Sequence, residues 1–99
     1  MMWIVVSYDF PSDRPALYRR FRKTLLKCGF SFAQKSLCWR WAHSHEKAES
    51  LRRTVEKELR AGGCALCWLL PDRVFAAAAC WNKASPVEMP SPPEPWLIV

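Results

Sequence analysis

A chain of 99 residues with 51% apolar and 13% aromatic content is too apolar to stay disordered and too short for two independent cores, so one small folded domain is expected. Fifteen Lys and Arg against nine Asp and Glu give a net charge of +6, and the excess lies at the front: residues 1–60 hold 13 basic and 6 acidic side chains, residues 61–99 hold 2 and 3. No apolar run reaches the roughly 18–20 residues of a membrane span, so the expected partner is a polyanion, most simply nucleic acid, and not a membrane.

The opening MMWIVVSY lacks the basic start and small-residue cleavage site of a secretory leader, which makes a cytoplasmic protein the expectation. Met2–Tyr8 is β-branched and aromatic and suits a strand covered on both faces. Asp9-Phe10-Pro11-Ser12-Asp13 is a loop, and Pro15 stands at the first turn of a helix with Ser12 or Asp13 near the cap. In that helix Leu17, Phe21, Leu25 and Cys28 recur at helical spacing, and Gly29 ends it. Residues 30–42 alternate but switch phase near Gln34-Lys35-Ser36, which predicts either two short strands tightly joined or one strand with a bulge.

His43-Ser44-His45 is a short polar break, after which Glu46–Ala61 is a second amphipathic helix stopped by Gly62-Gly63. Ala65–Leu70 is a further apolar strand. Residues 73–82 are open between helix, for their four alanines, and strand, for Val74, Phe75, Cys80 and Trp81. Residues 85–95 contain five of the eight prolines and read as an extended tether, ending in the apolar Trp96-Leu97-Ile98-Val99. The order strand, helix, strand, strand, helix, strand predicts an α+β, ferredoxin-like sandwich over residues 1–83, with residues 84–99 as tether and docking strand. Helices on one face leave the other in need of a lid, and a second copy would supply it, so a homodimer is expected.

Few residues are placed for chemistry. Glycine-rich phosphate loops are missing and the two histidines belong to no nucleophilic arrangement. Cys64-Ala-Leu-Cys67 has the spacing of half a zinc site, but in a strand its two thiols point to opposite faces, so free, packed cysteines are expected. Asp9 follows an apolar strand and precedes a basic helix. It is either a loop carboxylate or a metal ligand facing phosphate, and Mg²⁺ would need a second carboxylate, for which a two-fold axis could bring the partner's Asp9. Arg20, Lys23 and Lys27 lie at i, i+3, i+7 and Arg19 and Arg22 at i, i+3, five charges for which Asp13 is the one acid in the same stretch. Such a stripe suits sequence-independent phosphate contact.

The run Trp3–Arg14 (WIVVSYDFPSDR) resembles the opening of the CRISPR-associated Cas-two (Cas2) proteins: a hydrophobic strand, Tyr-Asp-Ile-Pro-Asp-Asp and a basic residue, then a basic helix. Gly29-Phe30 followed by Gln34-Lys35-Ser36-Leu37 is similar to the family's second signature, and Asp72-Arg73-Val74-Phe75 and Trp96–Val99 are similar to the tail of some members. Phe10 stands for the usual Ile, Leu37-Cys38 for a Val-aromatic pair, and Pro15-Ala16-Leu17 interrupts the arginine run.

The resemblance implies a homodimer of ferredoxin-like subunits at the centre of the spacer-acquisition complex. That dimer would hold double-stranded prespacer DNA between Cas-one (Cas1) integrase dimers. It also implies Mg²⁺-dependent endonuclease activity on RNA or double-stranded DNA in some members, with Asp9 as the metal-binding, catalytic aspartate. Candidate nucleic-acid contacts are then Arg14, Arg19, Arg20, Arg22, Lys23, Lys27, Lys35 and Arg40, and Trp96, Leu97, Ile98 and Val99 would dock on a partner. Three readings stand side by side: an Asp9 nuclease, a DNA-binding scaffold that cuts nothing, and a ribonuclease toxin of the virulence-associated type, which has a similar fold.

Overall fold

Eight consecutive residues with almost no polarity, Met2–Asp9, form the central strand β1 of the computed structural model, which describes residues 1–60 and 62–94. Further elements follow: α1 (Pro15–Lys27), β2 (Ser31–Gln34), β3 (Leu37–Ala42), α2 (His45–Leu59), β4 (Cys64–Pro71), α3 (Asp72–Ala76), β5 (Cys80–Asn82) and β6 (Ser85–Val87). The main sheet runs β2-β3-β1-β4 with every pair antiparallel, the strand order and pairing of a ferredoxin-like fold. Because β1 is flanked on both edges and covered on both faces, it tolerates the near-continuous apolar run that the sequence shows. Ile4, Val6 and Tyr8 point into the core beneath α1 and α2, with Phe21, Leu25, Leu51 and Val55, while Trp3 and Val5 point the other way.

Neither Ser12 nor Asp13 caps α1. The cap position is Arg14, which makes no side-chain cap bond. Pro11–Arg14 closes instead as a turn, the Arg14 amide donating to the Pro11 carbonyl at 3.0 Å, so that Pro15 enters the helix directly. α2 does have a side-chain cap: Ser44 Oγ accepts from the Lys47 amide at 3.1 Å, which starts the helix at His45. Both alternatives for residues 30–42 are present at once, since β2 and β3 are joined through Lys35-Ser36 and their register shifts between Phe32 and Gln34.

The face away from α1 and α2 is covered in part by the chain itself. Phe75 of α3 is 1% exposed, stacks on Trp3 with centroids 4.1 Å apart and meets Trp39 edge-on at 5.2 Å. Trp41 Nε1 donates to Asp72 Oδ1 at 3.0 Å. A second copy is therefore not the only lid, although Leu66 and Trp68 of β4 stay 64% and 43% exposed on that side. Residues 73–82 divide between helix and strand, and the segment expected to be an unpacked tether opens with β6, paired to β5 from Asn82↔Ser85 to Cys80↔Val87. The turn residues Lys83 and Ala84 have φ of 50° and 68°, the left-handed backbone that a primed two-residue hairpin turn demands. Met89 packs on the Trp3 cluster. The expected docking strand Trp96–Val99 lies outside the described residues. No helix among the described residues is long and apolar enough to cross a membrane.

Candidate active site and nucleic-acid surface

Asp9 is the last residue of β1, opposite Cys64 of β4, and is exposed. It continues the phase of Trp3, Val5 and Ser7, the face turned away from α1 and α2. The strand ends there because the next residue dives inward: Phe10 is 9% exposed and its ring lies against Gly63, where a Cβ would come within 2.5 Å of the ring. Phe10 fills this space and leaves Asp9 at the lip of a groove of about 410 Å³ lined also by Ser12, Tyr18, Lys35 and Ser36.

One main-chain atom ties the walls of this groove together. The hydroxyls of Tyr8 on β1 and Tyr18 on α1 both donate to the Lys35 carbonyl, at 3.1 and 2.8 Å, and the Tyr8 amide donates to the Ser36 carbonyl at 3.0 Å. A carbonyl oxygen has two lone pairs, so it can accept both phenols. Burial, reinforced by the Tyr18 neighbour, pushes the Tyr8 hydroxyl well above its ordinary value, so it remains a protonated donor across the working pH range. The result fixes the Lys35-Ser36 turn, and with it the base of the Lys35 side chain, beside Asp9. The sequence singles out Tyr8, Asp9, Lys35 and Ser36 by motif; Tyr18 carries no signal of this role, because its partner lies on a turn that only folding brings near.

The eight candidate cations separate into distinct environments. Arg14, Arg19, Lys23 and Lys27 are exposed along α1, with Arg19, Lys23 and Lys27 at i, i+4, i+8 in one row. The stripe is not wholly unpaired, because Arg20 reaches across to Glu58 of α2 at 3.6 Å, an acid outside the helix's own stretch. Arg22 is half-buried, its guanidinium 3.9 Å from the centre of the Phe32 ring. Lys35 lines the Asp9 groove. Arg40 is half-buried on the helix side of β3, where a Cβ on Gly29 would come within 2.9 Å of its Nε.

Metal-binding geometry within one chain is sparse. Among the described residues there is no group of three His, Cys, Asp or Glu side chains able to hold an ion. Cys64 and Cys67 have different exposures, as their alternate positions on β4 require, and all five cysteines are free thiols. Burial pushes the Cys38 thiol up to about 12 and raises Cys67, so both stay protonated within the core.

The model of the family described as CRISPR associated protein Cas2 matches residues 2–77. The chain belongs to the Cas2 family. Proteins named CRISPR-associated endoribonuclease Cas2 are among its relatives: that of Paracidovorax avenae is 33% identical over 89 residues, which cover 86% of this chain and 82% of the relative. That of Flavobacterium psychrophilum is 30% identical over 94 residues, covering 92% and 82%. That of Parvibaculum lavamentivorans is 43% identical over 51 residues, about half of each chain. The Cas2 match ends within one residue of α3, so it includes the four-stranded sheet, Asp9 and the Lys35 turn, and leaves the β5–β6 hairpin outside.

Proposed function

We propose that this chain is an adaptation subunit that, as a homodimer, binds duplex prespacer DNA and bridges Cas-one integrase dimers, with Asp9 as the centre of a Mg²⁺-dependent endonuclease activity. The observation that carries the proposal is the joining of Asp9, Lys35 and Tyr18 at one open groove, whose Lys35 turn the buried Tyr8 also holds, in a chain of net charge +6. Homodimerisation is supported by Leu66 and Trp68, which leave an apolar surface on the same face of the sheet as Asp9. A second copy seated there would bring two Asp9 carboxylates toward one axis.

The donor set suits a hard cation only in that arrangement. One carboxylate from each copy, completed by water and substrate phosphate, matches the oxygen preference of Mg²⁺. When bound, the ion would polarise the phosphodiester and make a hydroxide available near neutral pH. Lys35 would draw the phosphate into the groove by its charge, while Tyr8 and Tyr18 hold its backbone in place. The row Arg19, Lys23 and Lys27, with Arg14 at the helix start, would track the phosphates of the bound nucleic acid without reading bases.

The test is cleavage of RNA and of duplex DNA by wild type and Asp9→Ala, each with Mg²⁺ or EDTA. Hydrolysis that requires both the metal and Asp9 supports the enzyme. Tight, salt-sensitive duplex binding without cleavage in either protein would remove the nuclease from the proposal and leave a scaffold, a reading favoured by the single carboxylate each chain contributes.

A further inference from the structure

Cys64 and Cys67 cannot chelate one ion, because they fall on opposite faces of β4. Cys67 packs against the core with Ala65 and Leu69, while Cys64 is exposed in phase with Leu66 and Trp68. The pairing of β4 with β1 gives Cys64 a different neighbour. Its ladder partner is Asp9, and residues directly opposite in an antiparallel pair project from the same face with Cβ atoms about 4.5–5.5 Å apart. We propose that Cys64 is a second metal ligand beside Asp9, and that its sulfur directs the site toward a borderline-soft divalent cation, Zn²⁺ above all, in preference to Mg²⁺. The inference rests on the reading of Asp9 as a metal ligand given above, and adds to it the ion that the site selects.

Three features support the pair. First, the separation suits one shared ion: a carboxylate oxygen at about 2.0–2.2 Å and a sulfur at about 2.3 Å span the gap between adjacent strands without moving either. Second, both side chains are exposed, and among the described residues neither takes part in a hydrogen bond or an ion pair, so both donors are available. Third, their footing is rigid. Phe10 follows Asp9, Gly63 precedes Cys64, and these two lie so close that a Cβ on Gly63 would come within 2.5 Å of the Phe10 ring. The end of the ladder is locked on both strands, so the donors keep their spacing. An exposed thiol alone would select nothing; its register with Asp9 does.

The donor chemistry then picks the ion. Mg²⁺ takes oxygen ligands in an octahedral array, whereas thiolate together with carboxylate suits tetrahedral Zn²⁺. One chain supplies Asp9 and Cys64, in keeping with the absence of any group of three ligands among the described residues. The second copy proposed above supplies the same two again, and two carboxylates with two thiolates complete a tetrahedron. Each thiol passes its proton to solvent as it ligates. A cation held by four protein ligands has no open position for water, so Zn²⁺ there would stop Mg²⁺-dependent cleavage at Asp9.

The experiment titrates the reduced full chain with Co²⁺, a spectroscopic substitute for Zn²⁺, and reads the near-ultraviolet sulfur-to-cobalt charge-transfer band. Wild type is expected to show the band, Cys64→Ser to lose it, and Cys28→Ser and Cys80→Ser to keep it. Asp9→Asn should weaken cobalt binding about tenfold or more, since a direct ligand is worth at least as much as an outer-shell partner. Near-stoichiometric Zn²⁺ should bleach the band, and a large excess of Mg²⁺ should not. No band in wild type, or its survival in Cys64→Ser, overturns the inference. So does an unchanged cobalt affinity in Asp9→Asn, which would leave Cys64 an isolated thiol. Bleaching by Mg²⁺ overturns the preference for a softer ion. The band is independent of turnover, so the two readings fail separately. Asp9-dependent cleavage with Mg²⁺ by a protein that shows no band refutes the role of Cys64 alone; a band in a protein that cuts nothing supports the ligand pair and removes the nuclease.

Discussion

The Lys35 carbonyl, which accepts from both Tyr8 and Tyr18, allows a test in which the whole exceeds the sum of the parts. Tyr18→Phe removes the shorter bond, 2.8 Å, but the carbonyl keeps the Tyr8 donor, so a cost of about 0.5 kcal/mol is expected. Tyr8→Phe removes a bond of 3.1 Å from a residue only 3% exposed, for about 1 kcal/mol. In each single variant the carbonyl keeps one donor. In the double variant it keeps neither, and between two phenyl rings it is poorly hydrated, so about 1 kcal/mol of the cost of an unsatisfied acceptor adds to the two single costs. The cycle is expected to close with a coupling of about 1 kcal/mol and a total near 2.5 kcal/mol. Urea unfolding of the four proteins, at one fixed protein concentration because a dimer would make stability concentration-dependent, measures it. Additivity within about 0.3 kcal/mol would show that water reaches the carbonyl freely, and the argument that the tyrosines jointly fix the Lys35 turn would fail.

Other consequences are equally concrete. Replacing Arg19, Lys23 and Lys27 together with Gln should weaken duplex binding similarly for all sequences and reduce the slope of log K against log salt by about 2–3; an unchanged slope would place the phosphates elsewhere. Gly63→Ala should destabilise the fold by about 1–3 kcal/mol, because the new Cβ meets the Phe10 ring at 2.5 Å, and Phe10→Leu in the same chain should recover part of that loss by thermal melting. The thiol of exposed Cys64 should react first with a thiol reagent near neutral pH, and Cys38 last. Since burial raises the Cys38 value from 9.0 to about 12, that group favours the folded state below pH 9 and its contribution is lost as pH rises from there toward 12. Alkaline melts should therefore show stability falling across that interval, less so in Cys38→Ala measured against its own neutral-pH value.

β1, α1, α2 and β4 were legible from local pattern alone, because each is long enough to display its period and is bounded by recognisable residues, whereas residues 30–42 showed only a switch of phase that fitted two short strands or one bulged strand. β1 announces itself by an unbroken apolar run, α1 by Leu17, Phe21 and Leu25 with Pro15 before and Gly29 after, and α2 by Leu51 and Val55. Asp9 and Lys35 were legible too, through motifs on which the Cas2 resemblance rests. The hairpin was not, because its turn uses Lys83 and Ala84 where glycine or asparagine would be the usual sign, and Pro86 in β6 argues against a strand. An alanine in left-handed backbone persists only where surrounding contacts hold it, here the pairing of β5 with β6 and the seat of Met89 on the Trp3 cluster.

Local sequence thus determines which segments are strands and helices, the excess of positive charge on the front half, and the family to which the chain belongs, since each depends on residues close together in the chain. Tertiary structure alone decides that Arg20 lies beside Glu58, that Arg40 is tucked under Gly29, that α3 lies over Trp3, and that two tyrosines ten residues apart converge on one carbonyl beside Asp9. Those relations join residues distant in sequence, and a contact across such a separation leaves no periodic trace: it exists only once burial of the core has fixed where each segment lies.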